Sequence, residues 1–209
     1  MKLGYSIIAS NFLEIKNDIL KLNFIDFLHI DIMDGHFVKN ITVGHSIIDD
    51  IHKHFPEKFL DVHLMIDNPS LNLKKLKNAN RIFIHVESIE RYGQKLEEII
   101  TSTKKNNITL GLAISPNTNI CDLFSYLSQI KYVMIMSVNP GKCGQRFIPE
   151  TIDRINVIKA RFPNVKVQVD GGINSANIKL LFNNNVDSVI IGSALKKEPE
   201  QIKSIITHL

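Results

Sequence analysis

Short apolar runs alternate with amphipathic stretches along almost the whole chain. The runs are rich in Ile, Val and Leu without strict alternation, which is typical of parallel strands buried on both faces. The pattern predicts eight such strands, with the sequences LGYSIIAS, IDFLHIDI, KFLDVHLMI, RIFIHVE, ITLGLAIS, YVMIMSV, VKVQVD and VDSVIIG.

Segments with helical spacing of apolar residues lie between these strands and after the last one. They are NFLEIKNDILKL, HSIIDDIHKHF, SLNLKKLKN, GQKLEEIITSTKK, NICDLFSYLSQI, PETIDRINVIKARF, SANIKLLFNN and EPEQIKSIITHL. Alternating strands and helices of this number predict an α/β fold, a single (β/α)8 TIM barrel over residues 1–209. An open doubly wound sheet is the alternative, but no G-x-G-x-x-G follows the first strand. Polar residues also recur at the same end of many strands.

Composition narrows the possible partners. The chain has 209 residues of which 44% are hydrophobic, enough for one core, and no segment resembles a linker. Its two cysteines, Cys121 and Cys143, and the lack of a long apolar run argue against a disulfide framework or a membrane span, so we expect a cytoplasmic protein. The net charge is +4, yet basic and acidic residues are interleaved, which argues against a nucleic-acid partner.

Histidines and aspartates occupy the ends of several predicted strands. His29 and Asp31 are two residues apart and therefore share a face of the second strand. His63 ends the third strand and Asp170 ends the seventh. A single inward histidine is more often a core residue, but the C-terminal strand ends of a barrel form its active face. Two His and two Asp converging there predict a metal site with nitrogen and oxygen ligands.

Glycine-rich turns follow the last three predicted strands. They are NPGKCGQ at 139–145, DGG at 170–172 and IGSA at 191–194. Glycine lets backbone N–H groups approach an anion closely, and the loops after strands seven and eight are the usual phosphate site of this barrel. Together the turns predict a phosphorylated substrate.

Three methionines lie near the same strand ends, at Met33, Met65 and Met136. Methionine commonly fills irregular gaps in a core, and that explanation suffices for any one of them. As a group they are also suited to line a surface that excludes water from a reactive intermediate.

Six motifs in fixed order carry a family resemblance over nearly the full length. They are YSIIASNF, LHIDIMDGHFVKNITVG, DVHLMI, MSVNPGKCGQRFIP, VQVDGGI and IGSA. In this order they resemble the ribulose-phosphate 3-epimerase family. The resemblance implies an isomerase of the pentose phosphate pathway that interconverts D-ribulose 5-phosphate and D-xylulose 5-phosphate. It also implies a phosphorylated ketose as substrate, and we expect a homo-oligomer without a nucleic-acid or membrane partner.

The resemblance assigns roles at the matching positions. It implies that Asp31 and Asp170 are the acid/base pair, and that Ser6 and His63 contact the substrate. The implied ligands of one divalent ion, which could be Zn, Fe(II), Mn or Co, are His29, Asp31, His63 and Asp170. The implied phosphate-binding positions are Gly141, Gly144, Gly171, Gly172, Gly192 and Ser193, and the residues that shield the enediolate are Met33, Met65 and Met136.

The sequence departs from the family pattern at a few of these motifs. Tyr5 and Lys39 stand where the family has proline, and Lys142 and Cys143 replace Phe and Gly in NPGFGGQ. We expect the Cβ of Cys143 to tighten the backbone where the loop closes over phosphate. Lys142 is expected to face solvent.

Inversion of a carbon next to a carbonyl explains why two carboxylates are needed. One group must remove a proton from one face and another must deliver a proton to the opposite face. A metal bound to the neighbouring substrate oxygens would supply Lewis acidity and hold the enediolate in its cis form. The predicted metal site and acid/base pair therefore serve one reaction.

Three alternatives follow from the same residues. A phosphosugar decarboxylase would carry D-x-K-x-x-D, but His63 occupies the lysine position in DVHLMID. An allulose-6-phosphate 3-epimerase shares nearly all these residues and stays the main alternative. A non-catalytic phosphosugar-binding barrel is disfavoured because every acid/base position is intact.

Overall fold

The eight strands close into a parallel barrel in a computed structural model that describes residues 1–209. The strands are β1 Lys2–Ser6, β2 Phe27–Met33, β3 Phe59–Met65, β4 Arg81–His85, β5 Thr109–Ile114, β6 Tyr132–Met136, β7 Lys166–Asp170 and β8 Ser188–Ile191. Each strand pairs with the next one in the sequence, and β8 pairs with β1. The predicted TIM barrel is confirmed, and the open sheet is excluded.

Eight α-helices surround the barrel. They are α1 Ile15–Lys21, α2 Ser46–His54, α3 Val86–Arg91, α4 Leu96–Lys105, α5 Thr151–Arg161, α6 Ile178–Asn183, α7 Ser193–Lys197 and α8 Pro199–Thr207. The helices bury one face each, as α2 does with Ile48 and Ile51 while Lys53 is exposed. None of them combines the length and the apolar character that crossing a membrane requires.

Two predicted helices are wrong in type. The segment 70–78 forms only two short 3-10 turns, and the segment 119–130 forms a 3-10 helix at Ile120–Tyr126. Leu73 and Leu76 are buried and three positions apart, a spacing that an α-helix and a 3-10 turn both place on one side, so the apolar pattern does not separate the two helix types. The short helices α3 and α7 were not predicted.

Arg81 closes the N-terminal end of the barrel. Its guanidinium carbon lies 5.1–5.5 Å from the ring centroids of four aromatic residues, which are Phe27, Phe59, Phe83 and Tyr132. Its Nε donates to Asp61 Oδ1 at 2.6 Å, and its Nη2 donates to Gln168 Oε1 at 2.7 Å. A buried charge needs such partners. Because this end is filled, a ligand reaches the barrel interior from the C-terminal mouth.

Candidate functional site

Four polar side chains from three strands meet at the C-terminal mouth. One ligand atom each of His29, Asp31, His63 and Asp170 lies within 4.8 Å of all the others. Asp31 Oδ1 is 3.4 Å from His29 Nε2 and 3.1 Å from His63 Nδ1. Asp170 Oδ2 is 3.9 Å and 3.8 Å from the same two nitrogens. The structure thus brings together all four residues for which the sequence predicts a metal-binding role.

The orientation of His29 fits a metal ligand. Its Nε2 is buried without a hydrogen-bond partner and lies beside the carboxylates of Asp31 and Asp170. Its Nδ1 bonds to Asp61 Oδ2 at 2.8 Å. A ligating histidine usually donates its other ring N–H to a carboxylate in this way. A divalent ion would satisfy the otherwise unpaired nitrogen, so the donor set fits the predicted ion.

The two site carboxylates have opposite pKa shifts. Burial and the charge of Asp31 raise the pKa of Asp170 to about 7. Burial opposes ionisation of Asp31 as well, but His29 and His63 outweigh it and hold the pKa of Asp31 well below its usual range. Burial would lower the pKa of His29, yet Asp31 and Asp61 raise it to about 10. Such divergent carboxyl groups are suited to act as acid and base.

Asp61 is a buried residue that the sequence reasoning missed. It accepts hydrogen bonds from His29, from Arg81 and, at 2.7 Å, from Gln168 Nε2. A signal was present, because Asp61 is two residues before His63 and therefore on the same face of β3. Asp61 orients a predicted ligand.

His85 and Glu87 also escaped the sequence reasoning. His63 Nε2 lies 2.8 Å from His85 Nε2, and His85 Nδ1 lies 3.1 Å from Glu87 Oε2. His85 is the last residue of β4, at the same end of the barrel as His63. That position at a strand end was the available signal.

A cavity of about 630 Å³ opens above the four residues. Asp31 and Asp170 line it, and Ser6 lines it too while donating its hydroxyl to Asp31 Oδ2 at 2.7 Å. His29 and His63 are fully buried. The three methionines predicted to shield the intermediate all line this cavity and are buried, at Met33, Met65 and Met136.

The predicted phosphate-binding turns line the same cavity. They contribute Gly141, Gly144, Gly171, Gly172, Gly192 and Ser193. The side-chain amide of Gln145 donates to the carbonyl oxygens of Asn139 and Lys142 at 2.7 and 2.9 Å, which fixes the first turn. Lys142 is exposed, as expected, and Cys143 is exposed too. The turns are therefore placed on one side of the mouth, within reach of a ligand that also touches the aspartates.

Similarity to solved structures supports the fold assignment alone. A 3-hexulose-6-phosphate synthase from Salmonella typhimurium superposes with a TM-score of 0.71 at 14% identity, over 100% of this chain and 99% of that one. A 3-keto-L-gulonate-6-phosphate decarboxylase from Vibrio cholerae has a TM-score of 0.71 at 10% identity, over 99% and 97%. These likenesses support the TIM barrel.

Sequence comparison identifies the family. The model of the ribulose-phosphate 3 epimerase family matches residues 2–196. Ribulose-phosphate 3-epimerase of Chlamydia pneumoniae is 38% identical over 178 residues, which is 81% of this chain and 76% of the relative. The enzyme of that name from Helicobacter pylori is 34% identical over 199 residues, or 92% and 89%. The chain therefore belongs to the ribulose-phosphate 3-epimerase family, whose curated members are isomerases acting on carbohydrates.

Proposed function

We propose that the protein interconverts D-ribulose 5-phosphate and D-xylulose 5-phosphate by proton transfer at C3. The observation that carries this proposal is the pair Asp31 and Asp170 at the floor of one cavity. They project from β2 and β7, which are not neighbours in the barrel. Two carboxylates that enter from different strands are suited to reach opposite faces of one carbon.

The two carboxyl groups have complementary roles in this reaction. Asp31 would accept the C3 proton from one face, while Asp170 would deliver a proton to the other face. Without an ion, the pKa of Asp31 is lowered and that of Asp170 is raised, which agrees with this order. The roles exchange in the reverse direction. Ser6 holds Asp31 in position through its hydroxyl.

His29, Asp31, His63 and Asp170 would hold one divalent ion, which could be Zn, Fe(II), Mn or Co. Bound there, the ion would supply Lewis acidity that makes the C3 proton easier to remove, by several kcal/mol. Around the reacting carbons, Met33, Met65 and Met136 exclude water from the buried end of the cavity.

The phosphate of the substrate would bind at the turns after β6, β7 and β8. The turns at Gly144, Gly172 and Gly192–Ser193 line the same cavity as the aspartates, and their backbone N–H groups would bind the phosphate oxygens. Anchoring the phosphate there would place the carbon chain across the floor of the cavity, with C3 between Asp31 and Asp170. His63 is fully buried and does not line the cavity, so it would act on the substrate only through the ion.

The substrate is tested with protein reconstituted with each metal in turn. The kcat/KM values for ribulose 5-phosphate and allulose 6-phosphate are compared under the same conditions. The same reactions are run in D₂O, and NMR follows the appearance of deuterium at C3. We expect preferred turnover of ribulose 5-phosphate and deuterium at C3 of the product, because the delivered proton comes from an exchangeable carboxyl. A higher kcat/KM for allulose 6-phosphate would establish the alternative epimerase, and no turnover of either would favour a binding protein.

We further propose a cytoplasmic homo-oligomer. The rice relative is named as a cytoplasmic isoform, and it is 31% identical to this chain over 188 residues. Leu13, Ile41 and Leu71 expose 93%, 77% and 74% of their surface, and contacts between subunits would bury them. Light scattering of the purified protein measures the number of subunits, and a monomer at all concentrations would contradict the proposal.

A further inference from the structure

A chain of three side chains lies behind the proposed metal site. It runs from His63 through His85 to Glu87, with a nitrogen–nitrogen distance of 2.8 Å at the first step and a nitrogen–oxygen distance of 3.1 Å at the second. Both histidines are fully buried. The Phe37 ring covers His85 at a centroid distance of 4.5 Å. Each histidine nitrogen in the chain must therefore find its partner inside the protein.

The contacts of His63 determine where its proton must be when a metal is bound. Its Nδ1 faces Asp31 and Asp170, on the side where the ion would lie. A ligating nitrogen offers its lone pair and carries no proton, so the proton of His63 is on Nε2. That N–H points at His85 Nε2, which must then accept. The proton of His85 is consequently on Nδ1, facing Glu87.

The surroundings of Glu87 leave one of its oxygens for this bond. The backbone N–H of Ser115 and the hydroxyl of Thr118 both donate to Oε1, at 2.8 and 2.5 Å. Oε2 faces His85 Nδ1. An ionised carboxylate only accepts hydrogen bonds, so it fixes the direction of the whole chain.

We propose that Glu87 is a positioning residue which, through His85, keeps the Nδ1 lone pair of His63 free for the metal. The proposal rests on the metal site described under the proposed function. The direction of these hydrogen bonds matters because a chain that runs the opposite way, from Ser115 through His85 to His63, also has a partner at every step. The hydroxyl of Ser115 lies 3.4 Å from His85 Nδ1 and is able to donate to it. In that arrangement the proton of His63 lies on Nδ1, between this nitrogen and Asp31, where it competes with the ion.

Glu87→Gln tests the proposal with almost no change in shape. The Ser115 and Thr118 donors select the amide oxygen of the glutamine, so its NH₂ group faces His85 Nδ1 and donates. The chain should then reverse. The matched control is Glu90→Gln, the same change at an exposed position of the same helix, α3.

Two measurements separate positioning from a structural role. Zinc affinity is measured by competition with a chelator, and we expect Glu87→Gln to weaken it about 10–100-fold while Glu90→Gln leaves it unchanged. Long-range ¹H–¹⁵N NMR of the imidazoles gives the tautomers. We expect Nε2–H at His63 and Nδ1–H at His85 in the zinc-loaded wild type, and the reversed pair in metal-free Glu87→Gln.

Unchanged zinc affinity in folded Glu87→Gln, or equal weakening in both variants, would overturn the role of Glu87 while leaving the metal site intact. Should Glu87→Gln fail to fold, the wild-type spectrum decides, since Nε2–H at His85 in the zinc-loaded protein contradicts the proposal. Wild-type protein that binds none of Zn, Fe(II), Mn and Co would overturn the metal site and this inference together.

Discussion

At the scale of single residues, Asp61 joins the proposed metal site to the closed end of the barrel. It is fully buried and accepts hydrogen bonds from His29 on one side and from Arg81 and Gln168 on the other. Burial opposes its ionisation, but the hydrogen bond from His29 and the charge of Arg81 lower its pKa. Asp61 therefore serves both the orientation of a ligand and the neutralisation of a buried cation.

Asp61→Asn should weaken both functions. We expect metal affinity to fall about 10–100-fold, because His29 loses its charged acceptor. The free energy of unfolding should fall by about 3–5 kcal/mol, because Arg81 stays buried without its counter-ion. Chelator competition and urea unfolding measure the two effects, with the exposed Asp50→Asn on α2 as control. Wild-type metal affinity in the Asp61 variant would contradict the orienting role.

Asp31→Asn and Asp170→Asn should each lower kcat about 10²–10⁴-fold, since one face of the substrate carbon loses its proton partner. Each change also alters a proposed metal ligand, so rates are compared at equal metal content, measured by emission spectroscopy. The two-carboxylate scheme fails if either variant, fully loaded with metal, keeps a rate near that of the wild type.

At the scale of elements, the turn after β7 is the most constrained of the three that line the mouth. A Cβ added at Gly172 would lie 2.4 Å from the backbone nitrogen of Phe147, and the residue has φ +65°. Gly144, in the turn after β6, has a similar φ of +76° but open space around it. The two turns therefore differ in packing while sharing the left-handed backbone conformation.

Gly172→Ala should raise KM for the sugar phosphate by more than tenfold, because the turn after β7 must shift away from the Phe147 backbone. Gly144→Ala is the matched control, with a similar backbone cost of about 1 kcal/mol and no clash. Steady-state kinetics and thermal unfolding are measured together. Equal KM values for the two variants would show that close packing at Gly172 does not shape the phosphate site.

Lys142→Phe combined with Cys143→Gly restores the family pattern in the turn after β6. We expect a lower KM with kcat still dependent on both aspartates, because the proposed role of this turn is to bind phosphate and not to transfer protons. The assay uses both candidate sugar phosphates. Activity gained only on allulose 6-phosphate would instead show that the turn selects the sugar.

At the scale of the whole molecule, Asp187 contacts both the strands of the barrel and the surrounding helices. Its carboxylate accepts from the Lys159 ammonium, from Lys166 Nζ at 3.0 Å and from the backbone N–H of Val167 at 2.9 Å. Its carbonyl oxygen accepts from the Lys2 N–H at 2.8 Å, next to the pairing of β1 with β8. A partly exposed ion cluster therefore lies beside the pairing that closes the barrel.

Asp187→Asn should lower the free energy of unfolding at neutral pH by about 0.5–1 kcal/mol, the range for exposed ion pairs. Burial opposes ionisation, but the two lysines and the Val167 N–H hold the pKa of Asp187 below its ordinary value of 3.8. Its stabilisation is thus present above that value and is lost as the pH falls below it. Urea unfolding at several pH values should show the two proteins converging in acid, with exposed Asp153→Asn unchanged throughout.

The sequence was sufficient for features that depend on local pattern. The parallel strands and the convergence of His29, Asp31, His63 and Asp170 follow from apolar runs and from the common direction of strands in a barrel. The contacts of Asp61 with Gln168 escaped prediction because they cross the barrel between residues 107 positions apart. The 3-10 segments were missed because short apolar spacings fit either helix type.

During translation, the four residues of the proposed metal site are synthesised at widely separated times. His29, Asp31 and His63 belong to β2 and β3, whereas Asp170 ends β7, and β8 is needed to close against β1. A nascent chain therefore exposes an incomplete ligand set through most of its synthesis. The proposed four-ligand site forms only once nearly the whole chain has been made, so an ion that needs all four ligands would bind after translation, through the open mouth of the finished barrel.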